Sequence, residues 1–254
     1  LLNPVVGYFG EAAMVEERPR FFHDDEPTGR AEFDRRELSL GLQRQVGTAL
    51  LLRIGGTLGR VRTRFHEEVG LPAASDKTAT LHSLVVWDDM DDRHFPAHGR
   101  AISLSAEKSL PSLDASRDYW RLASRGRYAV SLAKRTVLEA QVLAAGSERD
   151  VPIYKLPRLG GPDLLPGYHR DALWGRNALG AAIGPSFVVI GRLRFKGWVG
   201  AGNVWDNRDQ VSLRSMKGGF GLALGLPTRL GPLSVAWGRS DSRPSRVYLS
   251  AGYD

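Results

Sequence analysis

Cysteine is absent from the 254-residue chain, so neither a disulfide framework nor a thiolate metal site can form. Long apolar runs are absent too. The longest weakly polar stretch, Ala178 to Gly191, is interrupted by Gly180, Gly184, Pro185 and Ser186, and is too short and too broken for a membrane-spanning helix. The first residue is Leu1, with no initiator Met, basic segment or cleavable apolar segment. Any targeting signal is therefore expected outside these residues, and the chain reads as a piece of a longer polypeptide. Clustered cations are also missing: the net charge is +7, but Lys and Arg occur one or two at a time. A nucleic-acid site gathers its cations on one face, so no nucleic-acid partner is expected. The same charge suits a basic interior or loops that meet an anionic surface.

What the chain does have is alternation. Leu38, Leu40 and Leu42 alternate with Ser39, Gly41 and Gln43, and Leu50, Leu52 and Ile54 follow after a tight turn at Gly47-Thr48. Ile102 and Leu104, then Tyr128, Val130 and Leu132, then Leu138, Ala140 and Val142 repeat the pattern. Later segments set Leu193, Phe195 and Val199 against Arg192, Arg194 and Lys196, and Phe220, Leu222, Leu224 and Leu226 against Gly219, Gly221, Ala223 and Gly225. Leu233, Val235 and Trp237 come next, and Val247, Leu249, Ala251 and Tyr253 close the series.

About a dozen such segments, each roughly ten residues long and without a convincing helix between them, have the length of tilted membrane-spanning strands. A soluble sandwich would pack large apolar side chains on its inner face. Here the second face is Ser, Gly, Gln, Arg and Lys, so the apolar face is the outside and the polar face the inside. The fold class is therefore all-β, a transmembrane antiparallel β-barrel, with residues 1–254 read as one domain. Closure is expected because an open edge cannot be satisfied in hydrocarbon.

Two stretches break the alternation. Leu159-Gly160-Gly161-Pro162-Asp163-Leu164-Leu165-Pro166-Gly167-Tyr168, continuing through Arg170 to Gly175-Arg176, is too rich in Gly and Pro for a strand and too long for a bare connection, which points to a functional loop. The other runs from Asp88 through Asp89, Met90, Asp91 and Asp92 to Arg93-His94-Phe95-Pro96-Ala97-His98-Gly99. Its four acids and two histidines admit a hard-metal site. Nothing else in the chain supplies a matching ligand set, so the expectation is no metal and a turn in which Asp side chains bond the backbone, Pro96 sets φ and Gly99 takes a left-handed position.

With both stretches in hand, the chain resembles the C-terminal barrel of the BamA/TamA outer-membrane superfamily, the bacterial surface antigen family, and within it the barrel attached to bacterial patatin-like phospholipases. Asp88-x-x-Asp91 leading to Phe95-Pro96-x-x-Gly99 is similar to the family's short periplasmic turn. Leu159-Gly160-Gly161 followed by Leu165-x-Gly167-Tyr168 is similar to its sixth extracellular loop, which folds into the barrel lumen. Ala201-Gly202-Asn203-Val204-Trp205, Leu230-Gly231-Pro232-Leu233 and Gly238-Arg239 match later elements in order, and Arg36-Glu37 through Gln45-Val46-Gly47 resembles the patatin-associated branch. The family barrel has sixteen strands, more than are visible here, and it tends to end on an aromatic residue where this chain ends on Asp254.

The resemblance implies an outer-membrane barrel that anchors, and helps export, an attached patatin-like domain. The alternatives are a barrel that assembles or translocates other proteins and, against the polar inner face, a soluble basic β protein that binds nucleic acid. Implied partners are outer-membrane lipid and lipopolysaccharide, the attached domain, the outer-membrane assembly machinery and a second copy of the barrel. No cofactor is implied. No Gly-x-Ser-x-Gly elbow occurs, and Gly184-Pro185-Ser186 lacks the second glycine, so this chain is not expected to be an enzyme. In BamA-like members an Arg just before the loop's Gly-Tyr pairs with an acid on a later strand. The matching positions here are Pro166 and Gly200. Losing one partner of a buried pair would cost about 3–5 kcal/mol, whereas losing both costs little. The loop is therefore expected to be held by shape: Gly219, Gly221, Ala223 and Gly225 leave room and Tyr168 and Arg170 supply contacts, so that Gly221→Trp would expel it.

Overall fold

The computed structural model describes residues 6–23, 26–66, 73–229, 231–241 and 244–252. The strands are β1 (Val6–Glu17), β2 (Arg20–His23), β3 (Glu26–Val46), β4 (Leu50–Phe65), β5 (Ala74–Asp88), β6 (Gly99–Ser109), β7 (Trp120–Ala133), β8 (Thr136–Ser147), β9 (Arg158–Leu159), β10 (Leu173–Trp174), β11 (Asn177–Ile190), β12 (Leu193–Trp205), β13 (Lys217–Thr228), β14 (Gly231–Ser240) and β15 (Arg246–Ala251). Among the described residues the only helical pieces are short 3-10 turns. One antiparallel sheet of 13 strands runs β1-β3-β4-β5-β6-β7-β8-β11-β12-β13-β14-β15, with β2 paired to β3. β9 and β10 form a separate two-stranded ribbon. Among the described residues β1 and β15 end the sheet without pairing to each other, so the expected closure is not present there. Leu230, Tyr253 and Asp254 lie outside the described residues.

Period-two alternation is what makes these strands and what sorts their faces. Leu38, Leu40, Leu42, Leu52, Ile54 and Leu58 on β3 and β4 are exposed together, as are Val199, Phe220, Leu222, Leu224, Val235 and Leu249 on the last four strands. On the opposite face Thr57, Thr63, Thr78, Thr80, Glu139, Ser186 and Ser240 are buried. Apolar side chains exposed and polar ones covered is the arrangement a lipid solvent selects.

Register in the hairpins follows from tight turns. Gly47 has φ +62° between β3 and β4, and Gly191 has φ +58° between β11 and β12. The second of these corrects a sequence expectation. Arg192 sits in the turn after Gly191, exposed, and so leaves the strand face on which Arg194 and Lys196 remain.

The chain divides into two compact units. The first comprises Leu1–Trp87, Ser103–Ser124 and Ala145–Pro157; the second comprises Asp88–Ile102, Arg125–Ala144 and Arg158–Asp254. The long connection from β8 to β11 contributes its first part to one unit and its second part to the other.

Candidate functional site

In the first unit the start of the long connection forms a 3-10 turn, Ile153–Lys155. Lys155 Nζ donates to Glu107 Oε1 at 2.7 Å, and the Tyr119 hydroxyl donates to the same oxygen at 2.6 Å. Tyr154 is buried, with its ring 6.0 Å from that of Phe33. Burial pushes the Tyr119 phenol up from its ordinary value, and the neighbouring Glu107 carboxylate pushes the same way, so it stays a neutral donor. A charge-assisted, hydrogen-bonded pair on the half-buried Glu107 of β6 thus fixes this segment.

The Gly-rich segment lies in the second unit and is seated differently. β9 and β10 pair Leu159 with Leu173 and Arg158 with Trp174, and the Arg158 guanidinium stands 4.1 Å from the centre of a Trp174 ring. Gly160 and Gly161 take φ +136° and +98°, opening a tight reversal closed by a bridge between Gly161 and Leu165. Leu165, Pro166 and Tyr168 are all fully buried. Gly167 has φ +90°, a conformation that favours glycine.

Three strand glycines receive this segment. A Cβ on Gly200 of β12 would overlap the Leu164 carbonyl and lie 3.3 Å from Pro166 Cδ, and one on Gly219 of β13 would overlap the Pro166 carbonyl. On Gly238 of β14 it would lie 2.7 Å from the Gly167 nitrogen and 2.9 Å from Pro166 Cβ. β15 adds the polar contacts. The Gly167 N–H donates to the Tyr248 hydroxyl at 2.9 Å, and that hydroxyl donates to the Tyr168 carbonyl at 2.6 Å. Arg246 Nε donates to the Gly167 carbonyl at 3.1 Å, and Lys217 Nζ stands 5.9 Å from the Tyr168 ring centre. Leu164 packs against the buried cluster of Ala182, Trp198 and Ala236.

Several sequence expectations are corrected by this geometry. Gly221 faces Trp198, whose ring comes within 2.5 Å of a Cβ placed there. Gly225 faces Phe95, within 2.6 Å of its ring. Ala223 packs against the buried cluster of Ala182, Trp198 and Ala236. Among the three glycines of that row, Gly219 is the one whose nearest neighbour is a loop atom, so Gly221→Trp would first clash with Trp198. Arg170 is exposed, and its stem covers Gly161. The residues that do hold the segment and were not anticipated are Gly238, Arg246 and Tyr248. The signal for the last two was the polar face opposite Val247 and Leu249.

The stretch between β5 and β6 adopts the turn alternative. Asp91 accepts backbone N–H groups of Ala97 and His98 at 2.9 and 3.1 Å, and Asp92 accepts those of His94 and Phe95, both at 2.8 Å. Asp88 accepts from Met90 and Asp89 from Arg100. Gly99 has φ +112°, and a Cβ there would run into Asp89, so the position requires glycine. The Phe95 N–H leads the bonds that hold the Asp92 carboxyl below its ordinary value. No group of three or more potential metal ligands is brought together among the described residues. Arg194 Nη1 donates to the Pro96 carbonyl at 3.1 Å, Arg127 Nη1 to the Arg93 carbonyl at 2.8 Å, and Phe95 occupies the space over Gly225. Lys196 makes an ion pair with buried Glu139 at 2.7 Å.

An all-β sheet with an exposed apolar face, a covered polar face and a long loop seated on the latter defines an outer-membrane β-barrel with an inserted loop. The Omp85 superfamily domain matches residues 70–254, and the chain belongs to that superfamily. BamA from Haemophilus ducreyi lacking POTRA domains 1-3 is similar in structure, with a TM-score of 0.80 and 14% identity over 96% of this chain and 57% of that one. CdiB from Escherichia coli is similar with a TM-score of 0.60 and 14% identity over 98% of this chain and 48% of that one. The chain therefore spans about half the length of these two structures. No curated protein matches it. Its location is the bacterial outer membrane.

Proposed function

We propose that this Omp85 barrel handles polypeptide at the outer membrane, and that it anchors and helps export an attached patatin-like lipolytic domain. The observation that carries the finer reading is the contact between Pro166 and Gly200. These are the two positions at which the resemblance expects an Arg and its acidic partner in assembly-type members, and here a close backbone approach takes the place of an ion pair. Both substitutions together preserve loop seating without a buried charge. The likeness of the chain to the patatin-associated branch supports the same reading. A second reading, assembly or translocation of other proteins, is favoured by the fold shared with BamA and CdiB.

The test is to isolate the native polypeptide from outer membranes, measure its intact mass and sequence the residues before Leu1. A Gly-x-Ser-x-Gly elbow there, with fatty-acid release lost when its Ser becomes Ala, is the expected result. Periplasmic repeat modules, or a signal peptide alone, would move the function to assembly or translocation.

A further inference from the structure

We infer that the exposed face of β3, β4 and β5 carries a binding site for the phosphates of an outer-leaflet glycolipid, formed by Arg36, Arg60 and Lys77. Successive rows of directly opposed residues across β1, β3, β4 and β5 change character abruptly. The row Ala12, Leu38, Leu58, Ala79 is wholly apolar; the next, Met14, Arg36, Arg60, Lys77, is wholly cationic apart from Met14; the one beyond, Glu16, Asp34, Arg62, Ser75, is mixed.

Like charges directly opposite one another destabilise a sheet unless an anion lies between them. The chain supplies only part of that anion. Arg36 reaches Asp34 at 3.5 Å, and Lys77 reaches Asp114 at 2.5 Å. Arg64, farther out, pairs with Glu32 at 3.6 Å. Arg60, at the centre of the cationic row and exposed, makes no ion pair among the described residues, and neither does Arg62. An open cationic row bordering an apolar band is the charge complement of a lipid headgroup at the membrane boundary.

The leaflet follows from topology. β3 and β4 meet at the tight turn of Gly47, and Arg36 and Arg60 lie toward the other ends of those strands. Outer-membrane barrels turn tightly at the periplasmic end and carry longer loops outside. The row therefore lies at the outer leaflet, whose lipid is a phosphorylated glycolipid. Four residues along β5 from Lys77, on the same face, Leu81 joins Ile54, Ala106, Trp120 and Leu122 around an apolar depression of about 460 Å³ with Lys108 at its lining. An acyl chain of the same lipid would lie along it.

The experiment is native mass spectrometry of the protein extracted from outer membranes in mild detergent, comparing the unsubstituted protein with an R36Q/R60Q/K77Q variant. The unsubstituted protein should retain the phosphorylated glycolipid, and the variant should lose at least about tenfold of that binding, since each basic residue at an anionic lipid surface contributes roughly fivefold. A gel shift between heated and unheated samples verifies that the variant is folded, and R60Q alone serves if the triple variant is not. Glycolipid stripped of its phosphates should bind as weakly as the variant does. Equal retention by a folded variant, equal binding of the dephosphorylated glycolipid, or full displacement by phosphatidylglycerol would overturn the assignment.

Discussion

Tyr248 serves the seated loop with one oxygen in two roles, accepting from Gly167 and donating to the Tyr168 carbonyl. Tyr248→Phe removes both partners from buried backbone groups, and a buried group left unsatisfied costs about 1–3 kcal/mol. The expected outcome is a lower unfolding temperature in detergent and faster proteolysis between Leu159 and Arg176. Gly219→Val and Gly238→Leu should expose the same segment by overlap with Pro166 and Gly167. Gly56→Ala is the control, since a Cβ there lies 3.6 Å from the nearest atom, an ordinary contact. At this scale the sequence was legible in kind but not in assignment. A row of small residues says that space exists, yet Gly219, Gly221 and Gly225 are filled by three different things: the loop, Trp198 and Phe95. The coupled departure at Pro166 and Gly200 was the better guide, because it concerned two positions at once and the two prove to be neighbours.

Among the elements, the turn between β5 and β6 is held by carboxylates rather than by a metal-like ligand set. Asp92 is held below its ordinary value of 3.8, first by the Phe95 N–H. A group with a depressed folded pKa stabilises the folded form above its unfolded pKa, and that contribution is lost as pH falls through the folded pKa. Protection of the His94 and Phe95 amides from hydrogen exchange should therefore hold at pH about 5 and weaken below about 4. In Asp92→Asn it should be weaker throughout. Asp91 behaves alike: burial pushes it up, but the His98 and Ala97 N–H groups outweigh that and leave it lowered.

On the strands, buried Glu139 pairs with a part-exposed Lys196. Lys196→Met alone strands a carboxylate and should cost about 1–3 kcal/mol, less than for a fully buried pair, whereas pairing it with Glu139→Leu should recover most of that loss. Thermal melts of the single and double variants decide the matter. Much of the strand pattern was readable from alternation, because period two survives in strands such as β3, β4 and β15, whereas β5 buries Thr78, Ala79 and Thr80 in succession. The turn at Gly191 was not, since Arg192 continues the alternation of Arg194 and Lys196 while the backbone reverses beneath it.

In the second unit the antiparallel order places the tight turn of Gly191 at the strand ends opposite those that carry the Gly-rich segment and the connection between β12 and β13, and in the first unit Gly47 makes a tight turn of the same kind. Outer-membrane location then requires that the longer connections face outward. These 254 residues contain no cysteine, so an introduced thiol is the only one among them, and labelling is read against the protein without it. Four single-cysteine variants, at Asp209 in the β12–β13 connection, Thr48 in the β3–β4 turn, Leu165 in the seated loop, and Leu165 combined with Gly219→Val, would be treated with a membrane-impermeant maleimide on intact cells. Asp209→Cys should label, Thr48→Cys should label only after lysis, and Leu165→Cys should stay protected until Gly219→Val unseats the loop. Labelling of Leu165→Cys to the same extent with and without Gly219→Val would contradict a loop held in place by the shape of the strand face beneath it.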